Sequence, residues 1–349
     1  MATALKARLS LSDAELVKLL VRCPQVLGYG WDTNVAPPLD ALQETLSLSD
    51  DDLRKVIKSS PPALGLSLQS TLLPRLLELQ SLFSLSPKEL SALVKKYPGI
   101  MLLSIESNVV PSASALQSLL GLTQSELRVL VLKYPQALSL SPSQNLAPTL
   151  RALRALLGSS VAIDGLELTQ ESRHDGSTGD GRGTEDGSTD GPAFVRASED
   201  EATVAADDLR AIVLAFPSVL GLSVEANLRP KLAFLAEALG SSPAELRVHI
   251  ARCPLVLGTS LEKSLVPNVS AWRAALLEAG HSDDAEAQFR TMVEKNGLRV
   301  LTASYEKRTR PRLTKAAAAG VPPLSLLPKM RLTDPAFETW LDGQAAARR

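Results

Sequence analysis

Six prolines stand in register along this chain. Pro24, Pro61, Pro98 and Pro135 are 37 residues apart, as are Pro217 and Pro254, and the one odd gap of 82 is a period of 37 plus 45. A second proline follows each by 13 residues, at Pro37, Pro74, Pro111, Pro148, Pro230 and Pro267. A seventh, degenerate unit fits when Leu298 takes the first proline's slot, because Pro311 then falls 13 later. A unit of this length is one supersecondary element that cannot bury its apolar face alone, so neighbouring copies must stack.

Helix signals recur on the same ladder. Ser12, Ser49, Ser86, Thr123 and Ser242 stand twelve residues before the first proline, and Glu15, Asp52, Glu89, Glu126 and Glu245 follow three later. A cap hydroxyl with an acid three residues on satisfies the orphan N–H groups of a helix start and suits the positive end of its dipole. Pro87 and Pro243 occupy the first helical position, where a missing N–H is harmless. Leu90, Leu93 and Val94 show the three- and four-residue spacing of a buried helical stripe. The first proline stops this helix by forcing its predecessor out of the α region. After a short link, a second helix begins near Ser67, Ser104, Ser141, Ser223, Ser260 and Ser304. Its internal proline should kink it or confine regular helix to the residues that follow. The spacing predicts an all-α, right-handed-stacked helical-repeat solenoid of about seven units, curved along its length.

Composition agrees. Hydrophobic residues make up 45% and aromatic ones 4%, so the core is mostly Leu, Val and Ala. No apolar run approaches the roughly 18–20 residues of a membrane span, so no membrane partner is expected. Cys23 and Cys253 share an Arg-Cys-Pro context at one repeat slot. They lack any C-x-x-C spacing and read as buried core residues.

Three segments follow: helical repeats over 1–158, an insert over 159–204, and helical repeats with a closing tail over 205–349. The stretch from His174 to Gly191 is polar and glycine-rich, and cannot bury enough surface to offset ordering, so it is expected to be disordered. It lacks the frame of a calcium loop. Residues 1–12 contain no acid, as the stump of an organelle transit peptide would, but are too short for a complete one. The repeats begin almost at once, which leaves open whether this is the natural amino terminus.

The net charge of −1 hides an asymmetry. Residues 1–158 carry 15 Lys/Arg against 12 Asp/Glu (+3), residues 159–208 carry 3 against 13 (−10), and residues 209–349 carry 19 against 13 (+6). Ten basic residues lie between Arg290 and Arg331, against Glu294 and Glu306 alone. Such a stretch on a helical surface is a footprint for phosphates. Basic residues also recur near the second proline, at Arg75, Arg151, Arg229 with Lys231, and Arg310 with Arg312. Lined up by the repeat, they would form one surface. Tyr97, Tyr134 and Phe216 could stack on bases, but they share the pre-proline slot with Cys23 and Cys253 and read as core.

Nothing in the sequence points to catalysis. The three histidines, His174, His249 and His281, have no partners at metal spacing, and no nucleophile elbow, P-loop or dinucleotide fingerprint occurs. Asp50, Asp51 and Asp52 sit in a helix's first turn, where the dipole accounts for them. No cofactor, metal or small-molecule substrate is expected.

The repeated L-x-x-L-x-x-x-x-P-x-x-L-x-x-S with a second proline helix resembles the mitochondrial transcription termination factor (mTERF) family. Leu301-Thr-Ala-Ser-Tyr-Glu-Lys-Arg-Thr-Arg-Pro-Arg-Leu resembles that family's late S-x-E-K-R-x-x-P-R segment, followed by a small helix through Ala316–Ala319. Met330-Arg-Leu-Thr-Asp-Pro-Ala-Phe-Glu-Thr-Trp is similar to its closing segment. The resemblance implies a half-doughnut whose positive inner surface holds nucleic acid in a mitochondrion or chloroplast, in transcription, RNA processing or ribosome assembly. Two features depart from the pattern: the acidic insert within the array, and an amino-terminal half that is nearly neutral. The expected activity is double-stranded DNA binding in transcription termination or regulation, by a monomer. RNA binding and a protein–protein scaffold are the alternatives. The expected phosphate contacts are Lys307, Arg308, Arg310, Arg312, Lys315, Arg229, Lys231, Arg75 and Arg151.

Overall fold

The computed structural model describes residues 1–157, 208–279 and 285–346. The insert expected over 159–204 falls outside the described residues, as do His174 and His281. Among the described residues every regular element is helical, and seven helix pairs follow one another in the order of the prolines. The first helices are Asp13–Arg22, Asp50–Ser59, Pro87–Lys96, Gln124–Lys133, 208–215, Pro243–Arg252 and Ala285–Asn296. The second helices are Ala36–Thr45, Leu73–Leu82, Val110–Leu120, Ala147–Leu156, Arg229–Leu239, Val266–Glu278 and Arg310–Ala318.

The caps form as the spacing implies. Ser12, Ser86, Thr123 and Ser242 each accept from the backbone N–H three residues on, and the glutamate there accepts from the cap's own N–H. Ser49 accepts from Asp52 N–H, but the shorter aspartate does not complete the reciprocal bond. The first proline then opens a 3₁₀ turn, as in Pro61–Gly65 and Pro98–Leu102.

The second proline confines regular α-helix to the residue before it and those that follow, one of the two outcomes expected. The five residues ahead are wound as a wide π turn, such as Leu68–Leu72 and Ile105–Val109, and regular α-helix starts one residue before the proline. Leu72 N–H bonds Ser67 C=O at 2.9 Å and Val109 N–H bonds Ser104 C=O at 3.1 Å, five residues back. The wider turn moves aside the carbonyl that a proline ring would strike in an α turn, and no N–H is missed. The seryl hydroxyls of Ser67, Ser104, Ser141, Ser223, Ser260 and Ser304 cap these turns.

One continuous core of buried Leu, Val, Ile and Ala runs through all seven units. Cys23 and Cys253 are buried in it, and burial pushes both thiols up. Tyr97, Tyr134 and Phe216 are half-buried and pack against the same core. Gly221 sits against the Tyr134 hydroxyl and Gly258 against the Phe216 ring, so glycine in the later unit makes room for the earlier unit's aromatic. Ala316–Ala319 is not a separate helix; it is the end of Arg310–Ala318 and its cap. The closing 3₁₀ segment Pro323–Arg331 and helix Asp334–Ala346 cover the last unit, with Phe337 buried and its ring tilted 45° against that of Trp340, the centroids 5.6 Å apart.

Candidate nucleic-acid interface

Many basic side chains of the array are occupied in holding it together. Along the first helices the capping acid of one unit meets a cation of the next. Glu15 pairs with Arg54 at 2.9 Å and with Lys58, Glu89 with Arg128 at 2.6 Å, Glu126 with Arg210 at 2.6 Å, and Asp208 with Arg247 at 3.2 Å. The Ser86 and Arg128 hydrogen bonds hold the Glu89 carboxyl at about 2, and Thr123 and Arg210 do the same for Glu126. At the other helix end, Arg22, Lys96 and Lys133 donate to the last carbonyls of the following unit's first helix. There they neutralise the negative end of its dipole.

The residue after the second proline is a strut as well. Arg75 donates to Met101 C=O at 2.9 Å, Lys231 to Leu257 C=O, and Asn268 to Leu301 C=O at 2.8 Å. These are equivalent carbonyls, the fourth residue of the next unit's 3₁₀ turn. Lys231 is 2% exposed, and burial lowers its pKa. Arg312, 3% exposed, bonds Lys329 C=O, Leu332 C=O and Asp334, and lies 4.5 Å above the Phe337 ring. It clamps the closing segment to the last unit. The recurring basic position beside the second proline therefore does not line a surface: Arg75, Lys231 and Arg312 point inward because a buried carbonyl needs a donor. Among the expected phosphate contacts, these three are placed as structural residues.

The other six are exposed. Arg229 pairs with Glu225 at 2.8 Å, Arg310 with Glu306 at 3.2 Å, and Lys315 with Glu338. Lys307, Arg308 and Arg151 make no ion pair among the described residues. Arg151 stands on the fourth unit, apart from the other two.

Arg308 does not stand alone. With Arg299 and Arg331 it lines a groove of about 650 Å³, walled by Val300, Ala303, Pro328 and Met330. Three elements supply the arginines: the 3₁₀ turn Leu298–Leu301, the π turn Tyr305–Thr309 and the closing segment Pro323–Arg331. All three side chains are exposed, and none is ion-paired among the described residues. Three guanidiniums around an open groove attract a phosphate backbone, and each offers a planar fork of donors to phosphate oxygens.

Arg299 and Arg331 were counted in the late basic stretch but not singled out. A signal for Arg299 was present. Its slot in the six other units holds Gln25, Pro62, Gly99, Gln136, Ser218 and Leu255, none charged. The Arg308 slot likewise holds Asn34, Thr71, Asn108, Asn145, Asn227 and Ser264. Arg331 lies outside the repeat, so no register could have marked it.

No group of His, Cys, Asp and Glu among the described residues is arranged to hold a metal ion, and none of their helices is long and apolar enough to cross a membrane.

Stacked proline-punctuated helix pairs define an α-helical repeat protein. The mTERF family model matches residues 3–117 and 200–297, and the chain belongs to that family. Its members are organelle-associated, non-enzymatic, nucleic-acid-binding repeat proteins. No curated protein matches the chain.

Proposed function

We propose that the protein binds the phosphate backbone of double-stranded DNA through the groove of the seventh unit, in the regulation or termination of organelle transcription, in a mitochondrion or chloroplast. The observation that carries this reading is the convergence of Arg299, Arg308 and Arg331, unpaired, on one groove, with Lys307 exposed beside it. Along the first-helix row, Arg54, Arg128 and Arg210 meet capping acids and Arg22, Lys96 and Lys133 meet helix-end carbonyls, whereas these three arginines meet no carboxylate within ion-pairing distance among the described residues. Arg151, Arg229, Arg310 and Lys315 extend the basic surface as secondary contacts, the last three by exchanging a glutamate for a phosphate. Contacts of this kind position the protein on the duplex and carry no base information.

Fluorescence anisotropy with labelled duplex DNA and matched single-stranded RNA, at several salt concentrations, tests it. Three to four phosphate contacts give a slope of log affinity against log salt of roughly −3 on duplex DNA. Arg299→Glu/Arg308→Glu/Arg331→Glu should abolish binding and the slope together. Binding of RNA alone replaces the DNA reading with RNA processing or ribosome assembly. Unchanged duplex binding by the triple variant removes the groove from the interface.

A further inference from the structure

The arginines of the groove stand on short segments, and those segments are gripped from behind by buried side chains at one repeat position, the residue after the second proline. In the second and fifth units that residue holds one carbonyl of the turn ahead: Arg75 takes Met101 C=O and Lys231 takes Leu257 C=O. In the third unit Ser112 takes Leu140 C=O instead, two residues later in the register, at 2.8 Å.

Asn268, in the sixth unit, holds both positions at once. Its amide nitrogen donates to Leu301 C=O and to Ala303 C=O at 2.8 Å each, and the side chain is fully buried. Leu301 ends the turn that carries Arg299, and Ala303 stands in the link from there to the π turn that carries Arg308. One amide therefore fixes the backbone between two of the groove's arginines. Arg312, in the seventh unit, has no repeat ahead of it and takes the closing segment instead. Its guanidinium donates to Lys329 C=O at 2.9 Å and Leu332 C=O at 2.8 Å, on either side of Arg331, and to Asp334 at 2.7 Å. Arg331 is exposed, but the chain on both sides of it is pinned to a side chain that is 3% exposed.

We propose that Asn268 and Arg312 are positioning residues of the groove, holding its three arginines in place, so that affinity for a phosphate backbone depends on two buried side chains that never touch it. This role rests on the groove being the phosphate site. A preorganised site needs its groups held within about 0.5 Å and 10–20° of the productive geometry. A long exposed side chain on a loose turn loses that advantage to its own conformational freedom. Elsewhere the same strut has no such cation to place: the turn Pro98–Leu102, gripped by Arg75, carries none.

Anisotropy titrations of the full chain with duplex DNA over a series of salt concentrations test it, at a temperature where circular dichroism shows each variant folded. Arg331→Gln alone should cost about fivefold in affinity and flatten the slope of log affinity against log salt by about 0.9, one phosphate contact. Arg312→Gln should do the same, and Arg312→Gln/Arg331→Gln should cost no more than either. Asn268→Ala, which changes no charge, should also flatten the slope, and should cost nothing further in an Arg299→Gln/Arg308→Gln background. Arg312→Lys and Asn268→Ser keep one donor, as Lys231 and Ser112 do in their units, and should recover part of the loss. These two carry the test if a truncation does not fold. Arg75→Gln breaks the equivalent strut of the second unit and removes as much charge as Arg312→Gln, yet should leave affinity and slope at wild-type values. Additive losses in the combined variants, or equal losses from Arg75→Gln and Arg312→Gln, overturn the positioning role and leave the groove as the phosphate site. Unchanged binding by both Arg299→Gln/Arg308→Gln and Arg331→Gln removes the groove itself, and the positioning role with it.

Discussion

The first-helix row and the seventh unit carry the same kind of charge in opposite circumstances. In the row, Arg54, Arg128 and Arg210 each find the capping acid of the unit before, and Arg22, Lys96 and Lys133 find helix-end carbonyls. In the seventh unit, Arg299, Arg308 and Arg331 face a groove and find no acid within ion-pairing distance among the described residues. Counting Lys and Arg cannot separate the two regions. What separates them is whether the repeat supplies a partner. A cation that recurs at the period meets a partner that recurs with it, and the pair glues units together. Arg299 and Arg308 each appear once, in slots that are uncharged in the six other units, and so have no such partner and stay available to a ligand.

Parallel neutralisations break or sharpen that contrast most directly. Arg299→Gln/Arg308→Gln/Arg331→Gln should weaken duplex DNA binding about 10²-fold near physiological salt, since three phosphate contacts are lost. Arg54→Gln/Arg128→Gln/Arg210→Gln removes as much positive charge, yet affinity should stay within about threefold, because a salt-screened field at a distance adds little. Equal losses in the two triple variants, read by anisotropy, would show that net charge matters and the groove does not. Next in size is the strut that sequence pattern placed on the surface. Arg312→Ala strips donors from Lys329 C=O and Leu332 C=O and empties the site over Phe337, which should cost about 2–3 kcal/mol in urea unfolding. If Arg312→Ala instead keeps full stability and loses DNA affinity, the side chain belongs to the interface after all.

The fold was legible to an unusual depth because its signals are covalent in origin. Proline has no N–H and a fixed φ, so a proline every 37 residues marks helix ends whatever surrounds it. The cap hydroxyls and the unit count followed from the same local chemistry. The π turn ahead of the second proline was not legible, since it answers a clash between ring and carbonyl that appears only once the turn is wound. The positions of the basic residues were half legible. Period told which slots were equivalent, but not whether a slot faced solvent or the next unit. Arg310 and Arg312 flank one proline, and one is 61% exposed while the other is buried. Helical geometry turns two residues through about 200°, so adjacent basic residues of one motif take opposite faces.

The smallest expected effect concerns the acids of the ladder, which sharpen the contrast from the structural side. Glu89 and Glu126 titrate at about 2, well below the ordinary carboxylate, because cap hydroxyl, cap N–H and a neighbouring unit's arginine all favour the charged form. A carboxyl whose pKa is depressed on folding contributes stability that is complete above its unfolded pKa, about 4.3, and is lost as pH falls through the folded value. The ladder should therefore hold from neutral pH to about 4.5 and weaken between there and pH 2. Glu89→Gln/Glu126→Gln keeps the hydroxyl caps and removes only the ionised links between units. The variant should melt below wild type at pH 7, and the gap should narrow on acidification and close near pH 2 in thermal circular dichroism. A gap of constant size from pH 7 to pH 2 would mean that the glutamates act by packing and capping alone. The arginines they meet would then be as idle as surface ion pairs usually are, and pairing would no longer explain why the row's cations are withheld from nucleic acid.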